Sequence, residues 1–354
     1  MKAYRTIGVM SGTSLDGVDI AYVELYKEED DWQFRLGPYT SVAYLNKWKV
    51  RLQNLTKASA LQYAQTHVEY GHYLGKMISE FIAVNQLKVD LIGSHGHTIF
   101  HQPENRFTSQ IGDGSAISAE AGLDVVCDFR SMDVAQGGQG APLVPIGDAL
   151  LFGEYDARVN LGGFSNISIG GIDHLQAFDI CPVNIVLNKL TSQIGLEYDK
   201  NGEIARGGQL IESLLVQLNQ LDFYQKTGPK SLGVEWVERE VWPLLDSSQN
   251  TVDLLRTFVE HIAIQISETL NQACSDREKV LFTGGGVFNQ FLMGRVIALT
   301  KAKIVIPSID IIEMKEAILF AFLGLLRKLE QFNILPEVTG AKLPSVSGAM
   351  YSGK

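Results

Sequence analysis

Two stretches of this chain share one plan, and that plan narrows the fold more than any other feature. "IGVMSGTSLDGVDIAYVEL", residues 7–25, reads as strand, glycine turn, strand. "ARVNLGGFSNISIGG", residues 157–171, repeats the design about half the chain later. Each is followed by helical and strand-like segments, so the repetition predicts two similar α/β halves. No short-period repeat is present, which argues against a solenoid.

Between the two turns, residues 58–85 carry Leu61, Ala64, Val68, Tyr73, Leu74, Met77, Ile78 and Phe81 at helical spacing. "VDLIGSHGHTIFHQP", residues 89–103, begins as a buried strand and is expected to break at "SHGHT". "RSMDVAQGGQGAPLVP", residues 130–145, is rich in glycine and holds Pro142 and Pro145, so it reads as a linker. The division expected from it is a lobe of residues 1–133, joined by 335–354, and a second lobe of 134–334. Long helices are expected over residues 251–273 and 313–332.

A length of 354 residues suits one large or two ordinary domains. The net charge of −10, with no basic block, argues against nucleic acid and anionic membranes as partners. Phosphate must then be met by backbone N–H groups or a cation. The three cysteines, Cys127, Cys181 and Cys274, are scattered and lack CxxC spacing, which favours a reducing, cytoplasmic setting. The longest apolar run, residues 317–326, is far short of the roughly 20 residues that span a bilayer.

Three glycine turns carry candidate chemistry. In "GTSLDGVD" the residues are Gly12, Thr13, Ser14, Leu15, Asp16, Gly17, Val18 and Asp19. Successive N–H groups in such a turn form an anion nest, and the carboxylates suit Mg²⁺. The alternative is a hairpin turn whose Asp and Ser bond their own backbone. It is not a Walker loop, since GK[ST] is missing and a strand follows. Gly162, Gly163, Ser165 and Asn166 repeat the logic. Gly284, Gly285 and Gly286 precede a helix near Asn289, where close approach and the helix dipole suit a nucleotide. Asp179, at the end of a strand before Pro182, is a candidate general base or a cap. His95, Gly96, His97 and His101 form either a ligand-facing polar loop or, less readily, a metal site. Gly96 interrupts the HxH pair, and no cysteine or carboxylate has matching spacing, so no metal held by these histidines is expected. Arg130 lies between Asp128 and Asp133 and is either ion-paired or aimed at an anion; Glu316 sits on an apolar helix.

With these residues laid out, the chain resembles the anhydro-N-acetylmuramic acid kinases. "GVMSGTSLDGVDIA", "SHGHTIFHQP", "DFRSMDVAQGGQGAPLVP", "NLGGFSNIS", "NGEIARGG", "TGGGVFN", "KEAILFAFLG" and "LPSVSGA" carry the likeness from end to end. The resemblance implies two lobes of the actin/hexokinase (ribonuclease H-like) type with a nucleotide cleft between them. It implies a kinase that uses ATP, Mg²⁺ and water to convert an anhydro sugar into N-acetylmuramic acid 6-phosphate in cell-wall recycling. It assigns residues 12–19 to ATP, Asp179 to the general base and Glu316 to an acid near the sugar. It puts Arg130 and the loop of His95 and Gly96 in segments that line the same cleft, where they are expected to bind the sugar. The other two glycine turns are expected at the ATP from their own residues. A cytoplasmic homodimer is also implied. The base loop departs from the family's "FDTGPGN"-like pattern at Cys181 and Val183, and His97 stands where Gln is usual. An altered sugar preference, or a weakly active paralogue that senses sugar and nucleotide, is the alternative.

Overall fold

Residues 3–11 and 17–28, in which Ile7, Val9, Val18, Ile20, Tyr22 and Val23 are buried, fold as two long strands on either side of the first glycine turn. β1 (Ala3–Ser11) pairs antiparallel with β2 (Gly17–Glu28), which pairs with β3 (Asp31–Ala43). The computed structural model describes residues 2–12, 15–226, 230–245 and 249–353. Thr13 and Ser14, two of the expected ATP contacts, lie outside the described residues. β4 (Leu91–Gln102) runs parallel to β1, and β5 (Phe107–Ile111) folds back on the end of β4. β6 (Val125–Cys127) runs parallel to β4, and a last strand, Ala349–Tyr351, closes the edge beside β6.

Contacts divide the chain into two units: Met1–Leu151 with Met314–Lys354, and Phe152–Glu313. In the second unit β7 (Ala157–Leu161), β8 (Phe164–Ile169) and β9 (Gln176–Pro182) form an antiparallel meander. β10 (Lys279–Thr283) lies parallel to β7, and β11 (Lys303–Val305) parallel to β10. The order β11–β10–β7–β8–β9 repeats the first unit's β6–β4–β1–β2–β3. Each unit is thus α/β with the ribonuclease H-like order that the resemblance implied.

In the first unit the helix Ala60–Asn85 starts at a capping box between Ser59 and Gln62. Its Tyr70, Leu74, Ile78 and Phe81 enter a core with Ile7, Val9, Ile92 and Ile117. The apolar helix Ile309–Lys328 begins and ends about four residues before expectation. Two strand glycines admit its first-unit portion. A Cβ on Gly8 would meet the Ala317 carbonyl oxygen at 1.7 Å, and one on Gly93 the Phe320 oxygen at 2.1 Å.

Two expectations are corrected. The division does not fall at residues 133/134, because residues 130–145 are no linker. They contain the helix Ser131–Ala135 and lead into the helix Val144–Leu151. Gly147 fits against Leu319, and Asp148 pairs with Lys315 at 2.9 Å in a buried ion bridge, so these segments belong to the first unit. Nor does β4 break at "SHGHT". Gly96 adopts φ +71°, and the strand continues through it to Gln102. No helix among the described residues is long and apolar enough to cross a membrane. Cys127, Cys181 and Cys274 are buried and free.

Candidate active-site residues

β1 delivers Ser11 to the root of the first glycine turn. Beyond the undescribed pair, Leu15 holds φ +62°, a conformation uncommon outside glycine. Its N–H reaches the Gly12 carbonyl at 3.3 Å, and the Asp16 carbonyl accepts from Tyr44 N–H at 3.3 Å. Gly17 and Val18 open β2, with Gly17 pressed on the backbone of Val42. Asp16 is exposed; Asp19 is half-buried and accepts a hydrogen bond from Ser41 Oγ at 2.5 Å. Desolvation raises the Asp19 carboxyl above its usual range, against the Ser41 bond, and the charge on Asp16 adds to the rise.

Beneath this turn lies a network that the motifs did not reveal. Ser11 Oγ touches Tyr44 OH at 2.5 Å, receives Tyr70 OH at 3.0 Å and meets His97 Nδ1 at 2.8 Å; the two tyrosine hydroxyls also bond each other. Four bonds need four protons, and the three hydroxyls supply three. His97 must therefore carry its proton on Nδ1, leaving Nε2 as an acceptor. Burial lowers its pKa to about 4, so the ring is neutral near pH 7. Tyr44 and Tyr70 are apolar-looking members of a strand end and a helix in sequence, so no motif marked them.

A second cluster gathers the expected sugar residues. Arg130 donates from Nε and Nη2 to His95 Nε2 at 3.1 and 2.9 Å, and from Nη1 to the Gly140 carbonyl at 2.5 Å. His95 is buried, packs against Phe320 with ring centres 4.6 Å apart and planes tilted by 45°, and directs Nδ1 to the Gly96 carbonyl at 3.0 Å. Burial, with the positive charge of Arg130, keeps this imidazole neutral. Burial also brings Arg130 down to about 10, opposed by Glu316 and Asp133; it stays charged at neutral pH. The Glu316 side chain is open to solvent, yet surrounding protein atoms still raise its carboxyl; Arg130 and Lys315 oppose the rise and Asp19 adds to it. His95, Arg130, Glu316 and Asp19 thus share one electrostatic neighbourhood. His101 lies further along, bonded to Thr108 Oγ1 at 3.1 Å. Among the described residues, no group of three or more His, Cys, Asp or Glu is arranged to hold a metal ion.

In the second unit the β7–β8 turn is tied to the start of the helix Asn184–Ser192. Val183 N–H reaches the Gly163 carbonyl at 2.8 Å, and Asn184 N–H the Gly162 carbonyl at 3.3 Å. The three-glycine turn lies against the same place. A Cβ on Gly284 or Gly286 would strike Leu161, whereas Gly285 faces open space. Ser165 Oγ is buried and has no hydrogen-bond partner among the described residues. Asn289 accepts from Leu292 N–H at 2.9 Å and caps the helix Gln290–Leu299. Asp179 is neither cap nor turn residue; it lies within β9, opposite Asn166. Its N–H bonds to the Lys230 carbonyl at 2.9 Å, and its Oδ2 accepts from Leu232 N–H at 2.7 Å. Burial raises its carboxyl, and the Leu232 N–H opposes this.

Comparison with known sequences now decides the family. The model of the family described as anhydro-N-acetylmuramic acid kinase matches residues 4–353. The chain belongs to this family. The anhydro-N-acetylmuramic acid kinase of Sulfurovum sp. (strain NBC37-1) is 32% identical over 372 residues, covering 99% of this chain and 100% of that protein. The one from Pseudomonas paraeruginosa (strain DSM 24068 / PA7) is 35% identical over 368 residues, covering 98% of each. The chain is accordingly a phosphotransferase with an alcohol group as acceptor.

Within an anhydro-N-acetylmuramic acid kinase, the two departures in the base loop have a plain structural setting. Cys181 and Val183 are fully buried and join the core of the second unit with Ile180, Val186 and Leu187. Burial raises the Cys181 thiol, which keeps it protonated and unreactive. Sequence reasoning also missed Leu232 and Gly140. Both act through the backbone, where side-chain identity gives no signal.

Proposed function

We propose that this kinase uses ATP and Mg²⁺ to open 1,6-anhydro-N-acetylmuramic acid hydrolytically and phosphorylate it to N-acetylmuramic acid 6-phosphate in cell-wall recycling. Asp179 takes a proton from water as the water oxygen bonds to the anomeric carbon. The bond from that carbon to O6 breaks, O6 bonds to the γ-phosphorus, and ADP departs. His95, Gly96, Arg130 and Glu316 contact the sugar. Gly12, Thr13, Ser14, Leu15, Asp16, Gly17, Val18 and Asp19 contact ATP, as do Gly162, Gly163, Ser165, Asn166, Gly284, Gly285, Gly286 and Asn289.

The observation that carries this reading is the state of Asp179. It is a partly desolvated carboxyl with raised proton affinity, with one oxygen fixed by Leu232 N–H and the other accepting no hydrogen bond from the described residues. Such a group suits proton abstraction from a positioned water. Mg²⁺, when bound, neutralises phosphate charge. Asp16 and Asp19 are the carboxylates we assign to it, and their coupled charges fit a cation held by two carboxylates or their water. The free thiols and the ATP requirement fit a cytoplasmic enzyme; a homodimer is expected from the family, and sedimentation tests it.

The deciding experiment is an ADP-release assay with the anhydro sugar, comparing wild type with Asp179→Asn. Loss of at least about 100-fold in kcat is expected. Full activity in the variant refutes the assigned role. EDTA should abolish turnover and added Mg²⁺ restore it.

A further inference from the structure

Arg130 is held by three neutral contacts. Two of its N–H groups serve His95 Nε2 and one serves the Gly140 carbonyl. A guanidinium has five N–H donors, so one on each terminal nitrogen has no partner among the described residues. No carboxylate among the described residues forms an ion pair with it. This is a positive charge with two adjacent donors, fixed in plane by uncharged groups. Such a fork matches the two oxygens of one carboxylate.

The third contact depends on residues far from Arg130. Asp133 is fully buried, and its Oδ2 accepts from Gly140 N–H at 2.6 Å. Its Oδ1 accepts from Thr339 Oγ1 at 2.6 Å. Thr339 also takes the Gln139 N–H on its own carbonyl at 2.8 Å. Gly138 must be glycine here, since a Cβ would lie 2.3 Å from Asp133 Oδ2. One threonine and one aspartate therefore pin the loop whose carbonyl orients Arg130.

We propose that Asp133 and Thr339 are positioning residues for Arg130, and that the guanidinium they set takes the carboxylate of the sugar substrate. The inference rests on the reading above that this unit binds the anhydro sugar.

The test uses two sugars, 1,6-anhydro-N-acetylmuramic acid and 1,6-anhydro-N-acetylglucosamine, which lacks the carboxylate-bearing ether. Thr339→Val should raise KM for the acidic sugar at least about tenfold, the scale of one weakened charge-assisted bond. KM for ATP and kcat should stay within about twofold. Binding of the neutral sugar, read by calorimetry, should not change, and Thr339→Ser should recover wild-type behaviour. Equal weakening of both sugars, or an unchanged KM for the acidic one, overturns the proposal. Arg130→Lys keeps the charge but loses the fork, and should erase the preference for the acidic sugar. Retention of that preference also overturns the proposal. A wild-type protein that binds neither sugar removes the functional reading and this inference with it. A normal Asp179→Asn effect beside an unchanged Thr339→Val removes only the inference.

Discussion

At Asp179 the folded protein binds a proton more tightly than the unfolded chain does, because burial disfavours the carboxylate. As pH rises from the ordinary 3.8 through the raised value, the unfolded chain ionises first and folding loses stability. Asp179→Asn should therefore raise the melting temperature at pH 7 while removing turnover, with little gain near pH 3. The acid limb of kcat/KM should lie above the ordinary aspartate range. Buried imidazoles act in the opposite sense. His97 titrates near 4 and His261 near 3, while His95 lies well below 6.5. The unfolded chain takes up these protons below 6.5 and the folded one does not. Stability should then fall as pH drops from about 6.5, by about 1.4 kcal/mol per pH unit for each imidazole. Denaturant melts across pH 4–7 measure this slope. Nitrogen NMR should also find the His97 proton on Nδ1, and Tyr70→Phe should release that preference.

Among the elements, the helix Ile309–Lys328 lies directly on the backbone of β1 at Gly8 and of β4 at Gly93. Gly93→Ala should cost about 1–3 kcal/mol or more, because the new methyl meets a backbone oxygen that has no rotamer to escape into. A lowered denaturant midpoint at unchanged slope would show it. What could be read from the sequence follows the same physics. The paired strand–turn–strand units were legible because alternating burial and glycine turns are local signals. β3 carries little local signal, since most of its residues are exposed and it has no apolar run. The passage of β4 through "SHGHT" was not legible, because the φ of Gly96 is set by packing against the Ile111 carbonyl. Residues 130–145 looked like a linker because Gly and Pro mark loops. What orders that segment is a bond that Asp133 accepts from Thr339, 206 residues away. Candidate residues on glycine turns were visible for the same local reason, while the backbone partners of Asp179 and Arg130 were not.

Across the whole molecule the two units share a winding but differ in continuity. Phe152–Glu313 is one unbroken segment with its own apolar core, including Val159, Phe258, Ile262 and Phe282. Residues 152–313 alone should give a cooperative thermal transition. Residues 1–151 alone should not, because the strand faces at Gly8 and Gly93 would lie bare of the helix that packs on them. The difference also orders events on the ribosome. The interrupted unit is begun first and finished last, since Thr339 and the strand Ala349–Tyr351 are translated only after its counterpart is complete. A nascent polypeptide thus exposes an uncovered sheet through most of its synthesis, a stage at which chaperones would engage it. The Thr339 hydroxyl that holds Asp133 then arrives only in the closing seconds of synthesis.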